Sequence, residues 1–580
     1  MTTAAGLSTR AGAAPAVEPW WQSATGYQIY PASFADSNGD GVGDIAGIIG
    51  KLDYLQDLGI GFIWLSPVYA SPMVDNGYDI SDYQAINPRF GALKEMDRLI
   101  AEARARGIGI VMDLVVNHTS DQHAWFQQAR RSKTSPYRNY YLWRDNPPAK
   151  GAPDDMTASF GGSTWSYDAQ AGAYYFHMFA AQQPDLNWAN PAMRADIYKM
   201  MNWWLDRGIA GFRMDVIDLI GKDIAHGITA NGPNEHPYLQ EMTAATQAGR
   251  DCLTVGEVWS ATPDNAPLYS DPARHELSMI FQFEAVTRFW DDQQGKWKPK
   301  PIDLPVLKSI FGKWQAALAT RGWSALFWGN HDLPRAVSRY GDDGAGRVAS
   351  AKMLATVLHL MKGTPYIYQG EEIGMTNAGF TSIDQYRDVE TINLHAIALQ
   401  AGIKDADFMA GARANSRDNA RTPMQWTDGP NAGFSRGRPW IAVNPNKATI
   451  NAAADSADPN GVYQRYRLLI ALRKALPIIR QGSFRLIQPN HKQIFAYERR
   501  LGEDRLLVIA NFTGTPATLP LTPNEIMVGR DLLSGADRTL SGTTLLLQPY
   551  ETMALLRASP PGNAILTATN VLHQDDRSAR

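Results

Sequence analysis

The chain has 580 residues, of which 44% are hydrophobic and 19% charged, and a mass of 64.0 kDa; it is too long for one ordinary core and calls for two or three domains. Its 55 basic and 58 acidic side chains leave a formal charge of -3, which gives no electrostatic basis for binding nucleic acid or an acidic membrane. The single cysteine, Cys252, excludes an internal disulfide and fits a reducing cytoplasm, the expected location, and no apolar run is long enough to suggest a transmembrane span.

Residues 1–18 are rich in Ala, Gly and Pro and lack an apolar h-region, so they read as a disordered tail and not as a secretory signal. Residues 571–580 read the same way. From Trp20 to about Leu476, short apolar strands alternate with helical patterns, as in βα units. Eight strand candidates follow in order: GYQIYP (26–31), GFIWLSP (61–67), GIVMDLVVNH (109–118), GIAGFRMDV (208–216), CLTVGEVW (252–259), MIFQFE (279–284), ALFWGNHD (325–332) and TPYIYQGEE (364–372). Segments such as ALKEMDRLIAEARARG (92–107) return apolar residues every three or four positions between them. This pattern predicts an α/β fold with a closed (β/α)8 TIM barrel, domain A, over 19–117 and 188–480. An open doubly wound sheet would need a glycine-rich phosphate turn after its first strand, where this chain has the acidic PASFADSNGDGVGD. The connection 118–187 far exceeds an ordinary loop and is expected to be an inserted lobe, domain B, after the third strand. A second insertion, about 373–450, should carry helices. From 481 to 570, runs such as FRLIQP, QIFAYERR and DRLLVIANF predict a C-terminal antiparallel β-sandwich, domain C.

Three carboxylates, Asp215, Glu257 and Asp332, close three of the barrel strands. Barrel strands aim their C-terminal ends at one mouth, so residues distant in sequence meet there, and cleaving an acetal requires a pair of carboxyl groups. One acidic residue after a strand is commonly a helix cap. Three of them, accompanied by Arg213 and His331, point to catalysis. Arg213 shares the strand face of Asp215, where a guanidinium favours the ionised carboxylate. Glu257, among Val255, Val258 and Trp259, has the apolar setting of an acid that must hold a proton. Asp75-Asn76-Gly77-Tyr78 is first a turn, but on the mouth side of the second strand it places Asp75 to take ring hydroxyls and Tyr78 to stack under a ring. Asp36, Asn38, Asp40 and Asp44 offer alternate oxygens around a glycine turn, the way proteins wrap a hard cation, without the acidic twelfth position of an EF-hand.

In order along the chain, DLVVNH (113–118), QPDLNW (183–188), GFRMD (211–215), GEVW (256–259), GNHD (329–332), GTPYIYQGEEIGM (363–375) and RDNARTPMQW (417–426) resemble the motifs of the α-amylase superfamily, glycoside hydrolase family 13. Within it the chain is most similar to the oligo-1,6-glucosidase, α-glucosidase and sucrose isomerase branch, over nearly its whole length. The resemblance implies Asp215 as nucleophile, Glu257 as acid/base and Asp332 as the third carboxylate. It implies a ring clamp of Arg213, His118, His331, Asp75 and Tyr78, with further substrate contacts at Phe179, Gln183 and Arg417, the last on the acceptor side. It also implies a structural Ca²⁺, in preference to Mg²⁺, on Asp36, Asn38, Asp40, Asp44 and the Val42 carbonyl, and no organic cofactor. Val216 resembles the α-1,6-acting pattern. Trp259 and Phe283 are similar to the aromatics with which sucrose isomerases hold released fructose. Against that, the isomerase RLDRD loop is replaced by AVTRFWDDQQGKWKPK (285–300), and Leu333 alters the usual NHDQPR. The expected function is a retaining, exo-acting α-glucosidase on small α-glucosides, α-1,6 preferred, with some transglucosylation. The alternative is a sucrose isomerase or dedicated α-glucosyltransferase. A monomer or weak dimer is expected, with no nucleic acid or membrane partner.

Overall fold

A computed structural model describes residues 18–558. The tails expected at 1–18 and 571–580 lie outside it, except Glu18, whose carboxylate pairs with Arg480 at 2.8 Å.

The central sheet has eight parallel strands: β1 (Gly26–Ile29), β2 (Phe62–Leu65), β3 (Gly109–Leu114), β4 (Gly211–Met214), β5 (Leu253–Glu257), β6 (Met279–Phe281), β7 (Ala325–Leu326) and β8 (Thr364–Tyr368). Their order is β6-β5-β4-β3-β2-β1-β8-β7. A parallel bridge between Ile280 and Ser324 joins β6 to the start of β7 and closes the ring, giving the expected barrel. Both faces of a barrel strand are covered, which is why these segments read as continuous apolar runs. Phe62, Trp64, Val111, Val255, Met279, Phe281 and Tyr366 fill the interior, and helices such as Leu93–Ala105 and Pro191–Asp206 pack outside. The longer helices start where the sequence supplies caps: Asn190 accepts the amides of Ala192 and Met193, with Pro191 in the first turn, and Asp303 accepts that of Val306.

Every barrel strand ends earlier than its apolar run. Most residues just beyond the ends, such as Tyr30, Ser66, Val115, Asp215, Val258 and Phe283, remain buried but leave the ladder, so hydrophobicity continues where pairing stops. At β4 the amide of Asp215 still reaches the Leu114 carbonyl at 3.0 Å, and the next residue, Val216, turns to φ 33, ψ 47.

The 118–187 lobe carries a three-stranded antiparallel sheet, Trp143–Arg144, Ala173–Phe176 and Trp165–Asp168. The 373–450 insertion carries the helices Val389–Gln400 and Asp405–Asn415. Beyond the barrel, a six-stranded antiparallel sheet faces the pair Ala517–Pro520 and Thr544–Leu547 across a core that includes Ile494, Leu507, Leu519, Leu547 and Leu555. Lys308, on the barrel helix Leu304–Ala317, latches this sheet by donating to the carbonyls of Gln488, His491 and Ile494 at 2.9, 2.7 and 3.0 Å.

After β8, the 3-10 turn Glu371–Ile373 buries two adjacent carboxyls. Glu372 accepts from Tyr27 and Tyr54, both at 2.9 Å, and Glu371 from Tyr466 at 2.7 Å. Burial pushes Glu371 to about 8 and Glu372 to about 7. A glutamate that keeps its proton to that pH when folded, but loses it near ~4.3 when unfolded, makes the native state less stable as pH rises between the two values, by about 1.4 kcal/mol per pH unit and group. Urea denaturation of Glu371→Gln, which keeps an oxygen for Tyr466, should therefore show a shallower loss of stability between pH 6 and 8 than the parent, by roughly 1 kcal/mol per pH unit.

Candidate active site

Strands β4 and β5 pair with Met214 opposite Gly256, so Asp215 and Glu257 leave adjacent strand ends side by side. Arg213, 1% exposed, reaches both. Its Nη1 donates to Asp113 Oδ1 and Asp215 Oδ1, each at 2.8 Å, and its Nη2 to Glu257 Oε2. The guanidinium lies over the Trp64 ring, 4.8 Å from its centroid. Val216 holds a left-handed conformation that a β-branched residue enters only under strain, and in doing so aims its amide at Glu257 Oε2, 3.1 Å away. Trp259 Nε1 donates to the other Glu257 oxygen at 2.9 Å.

Arg213 favours the ionised form of Asp215, as expected, but it does not act alone. Burial outweighs the guanidinium: the Asp215 carboxyl is pushed well up, with Glu257 and Asp113 adding to the shift and Arg213 opposing it. Burial likewise raises Asp113 to about 6. Asp215 and Asp113, both raised and both bonded to the one guanidinium, titrate as a coupled pair.

At the other end of the site the balance reverses. The Asp332 carboxylate receives Arg417 Nη1 at 3.2 Å and Arg421 Nη2 at 2.8 Å, with His331 Nε2 at 3.2 Å. Burial works against its charge, yet His331 and the two arginines hold Asp332 far below the usual carboxylate range. Arg417 also binds Asp75 (3.2 Å) and Asp388 (2.9 Å), and Gln183 donates to Asp75 at 3.2 Å. Asp75 itself is raised to about 6 by burial. Tyr78 donates to Asp113 at 3.0 Å, meets His331 Nε2 at 2.7 Å and stacks on that imidazole with an interplanar angle of 8°. His118 lies 3.1 Å from both the Tyr78 carbonyl and Gln183 Nε2, and 5.1 Å from the Phe179 ring. Burial lowers His331 to about 3 and His118 to about 4, so both are neutral near pH 7 and contribute hydrogen bonds instead of charge.

On the third side Trp259 stacks on Phe283, 3.8 Å between centroids and 12° between planes, with Trp290 at 6.2 Å. The predicted substrate and catalytic residues line one cavity of about 790 Å³, except Gln183, Arg213, Phe283 and His331. Those four stand directly behind lining residues and hold them. Arg417, expected to have a looser role, is instead buried and paired with Asp75, Asp332 and Asp388. Asp113 and Arg421 were present in DLVVNH and RDNARTPMQW without an assigned role. Asp388, in the long insertion, carries no local signal at all.

The residues expected to hold a cation share one turn, with Gly39 and Gly41 at φ 87 and 92. Asp36 accepts the amides of Asn38, Gly39 and Gly41, and Asp44 caps the helix Ile45–Ile49 through the Gly47 amide at 2.6 Å. Asn38 and Asp40 accept the amides of Asp40 and Val42. These are hard oxygen donors, the chemistry that Ca²⁺ takes, although among the described residues no three His, Cys, Asp or Glu converge on one point. No helix among them is long and apolar enough to cross a membrane.

The α-amylase catalytic-domain family matches residues 28–482, and the C-terminal domain family of the α-amylase SusG matches 494–553. A palatinase from Erwinia rhapontici is 55% identical over 543 residues, covering 93% of this chain and 98% of that protein. A glucan 1,6-alpha-glucosidase from Streptococcus pneumoniae is 53% identical over 498 residues, covering 86% and 92%. The crystal structure of an isomaltulose synthase from Klebsiella sp. LX3 superimposes with a TM-score of 0.89 at 40% identity, covering 93% of this chain and 100% of that one.

The Arg417 cluster yields a direct expectation. Arg417→Met leaves three buried carboxyls with fewer cations, and kcat/KM for glycoside cleavage should fall by about two to three orders of magnitude, measured by steady-state kinetics on folded protein.

Proposed function

The chain belongs to the α-amylase superfamily, in its oligo-1,6-glucosidase and sucrose isomerase branch, and is an enzyme of the glycosidase type acting on α-glucosides; within that class we propose that it removes single glucosyl units from the non-reducing ends of short α-glucosides, preferring α-1,6 bonds, by double displacement. The observation that carries the reading is the Arg213 fork, which brings Asp215 and Glu257 to two nitrogens of one guanidinium at the floor of the cavity.

In the first step Asp215 attacks the anomeric carbon while Glu257 gives its proton to the glycosidic oxygen. The bond between them breaks, the aglycone leaves as a neutral alcohol and the glucosyl group remains as an ester on Asp215. Water then passes a proton to the Glu257 carboxylate and its oxygen takes the place of Asp215, restoring the original anomeric configuration. Asp332, held ionised, and the neutral His118 suit the ring hydroxyls, with bonds that tighten as the ring becomes oxocarbenium-like, while the neutral His331 braces Tyr78 from behind. The Asp75–Arg417–Gln183 contacts close the far end of the pocket behind one ring, which favours terminal cleavage. Val216, fixed beside the nucleophile, and the names of the palatinase and glucan 1,6-alpha-glucosidase relatives support the α-1,6 preference.

The Trp259–Phe283 stack favours a second reading, sucrose isomerisation or dedicated glucosyl transfer. A sugar kept on that platform beside Glu257 competes with water for the same intermediate, and the likeness to an isomaltulose synthase supports this. Products from isomaltose, isomaltulose, maltose and sucrose, compared side by side, separate the two. Glucose as the main product, released fastest from α-1,6 substrates, is expected. An isomeric disaccharide as the main product of sucrose would install the second reading, and an inverted anomer would remove Asp215 from its role. Asp215→Asn should lose nearly all turnover with every substrate.

We also propose that Asp36, Asn38, Asp40, Asp44 and the Val42 carbonyl hold a structural Ca²⁺ in a protein that acts in the cytoplasm as a monomer or weak dimer. Chelation should lower the unfolding temperature while leaving initial rates at low temperature unchanged; an unaltered melting curve in chelator counts against the site.

A further inference from the structure

The strained turn after β4 and the turn after β5 are tied together twice. The first tie is the Val216 amide on Glu257. The second lies further along: Asp218, 1% exposed, receives on one oxygen both the Ser260 amide at 3.0 Å and the Ser260 hydroxyl at 2.6 Å. Strand register explains this pairing. The offset that sets Met214 opposite Gly256 carries on to Asp215 and Glu257, and then to Asp218 and Ser260. A side chain therefore continues the ladder after the backbone has stopped pairing. Asp218 is fixed on its own side, within the 3-10 turn Ile217–Leu219, and its carbonyl accepts the Asn231 amide at 3.2 Å. Between the two ties lie only Val258 and Trp259, and Trp259 supplies the remaining bond to Glu257.

We propose that Asp218 is a positioning residue for proton transfer: by clamping Ser260 it fixes the Trp259 indole, and so the Glu257 carboxyl, against the glycosidic oxygen. The proposal rests on the reading of Glu257 as the acid/base. In the step it affects, the Glu257 proton moves to the glycosidic oxygen as the bond from that oxygen to the anomeric carbon breaks and an Asp215 oxygen bonds to the carbon. A sugar leaving group needs that proton. A nitrophenolate departs as a stable anion and hardly needs it.

The test compares kcat/KM, which reports formation of the glucosyl ester, on isomaltose and on p-nitrophenyl α-glucoside. Asp218→Ala is expected to lose about 30- to 100-fold on isomaltose, the scale of an ångström of misplacement, and less than about threefold on the nitrophenyl substrate, where no proton is required. Asp218→Asn keeps an oxygen for both Ser260 donors and should restore isomaltose to within about fivefold of the parent, the loss of charge alone mattering little. Ser260→Ala, which removes one donor, should show the same split at about three- to tenfold, so the test does not depend on Asp218→Ala folding. Equal losses on the two substrates, or an Asp218→Asn protein as impaired as Asp218→Ala, would overturn the proposal. A wrong assignment of Glu257 shows separately, because Glu257→Gln would then lose as much on the nitrophenyl substrate as on isomaltose.

Discussion

Arg213 is nearly inaccessible to water and meets the carboxyls of Asp113, Asp215 and Glu257 at once, and much of the site's character follows from that arithmetic of charge. Burying ions is costly, and removing one partner from such a cluster costs about 3–5 kcal/mol because the others remain behind. Beside that one cation, burial still raises Asp215 and Asp113, and a proton kept on that pair lowers the cost. At the opposite end Arg417 and Arg421 face Asp332, Asp388 and Asp75, a ratio of two to three, and there Asp332 and Asp388 are driven far below the usual range. The same pocket thus has a floor that stores a proton and a wall that stores charge. The proposed double displacement uses the first to move the proton and the second to grip hydroxyls.

The backbone is made to serve this cluster. Val216 occupies a conformation that costs of order 1–3 kcal/mol for a β-branched residue, and it is held there by the Glu257 bond and by the turn that follows. Tyr78 is similarly over-determined, bonded to Asp113 and His331 and stacked on the latter, so that Asp75, three residues earlier, has a fixed wall to stand on. Strain and burial that would be liabilities in a plain core are the means by which the carboxyls of both clusters are held in place.

The barrel and its three leading carboxylates were readable in the sequence because both depend on local pattern. A strand buried on two faces is a run of apolar residues, and Asp215, Glu257 and Asp332 each stand where such a run meets polar chain. Strand lengths were overestimated for the same reason, since the turns at the mouth are as buried as the strands. Direction was harder to read. Arg417 was recognisable within its motif, but nothing local says whether a guanidinium inside a long insertion points toward the ring or toward the acceptor. Asp388 and the Asp218–Ser260 tie arise from register and tertiary placement, and the left-handed turn at Val216 runs against what valine's own preferences predict.

Burial falls from one side of the pocket to the other, and this bears on how one scaffold supports both hydrolysis and isomerisation. Arg213 and His118 are each 1% exposed and Trp259 is 37% exposed, so on the proposed reading the glucosyl ring meets rigid, charged walls while the departing sugar meets a half-open aromatic plate. An aromatic contact of that kind is worth about 0.5–1.5 kcal/mol, a factor of a few to roughly ten in how long the sugar stays. The covalent intermediate does not distinguish water from that sugar; residence time does. On the proposed reading, small changes around Trp259, Phe283 and the 285–300 loop shift the product from free glucose to a new disaccharide, while the Arg213 cluster beneath them carries out the same chemistry in both cases.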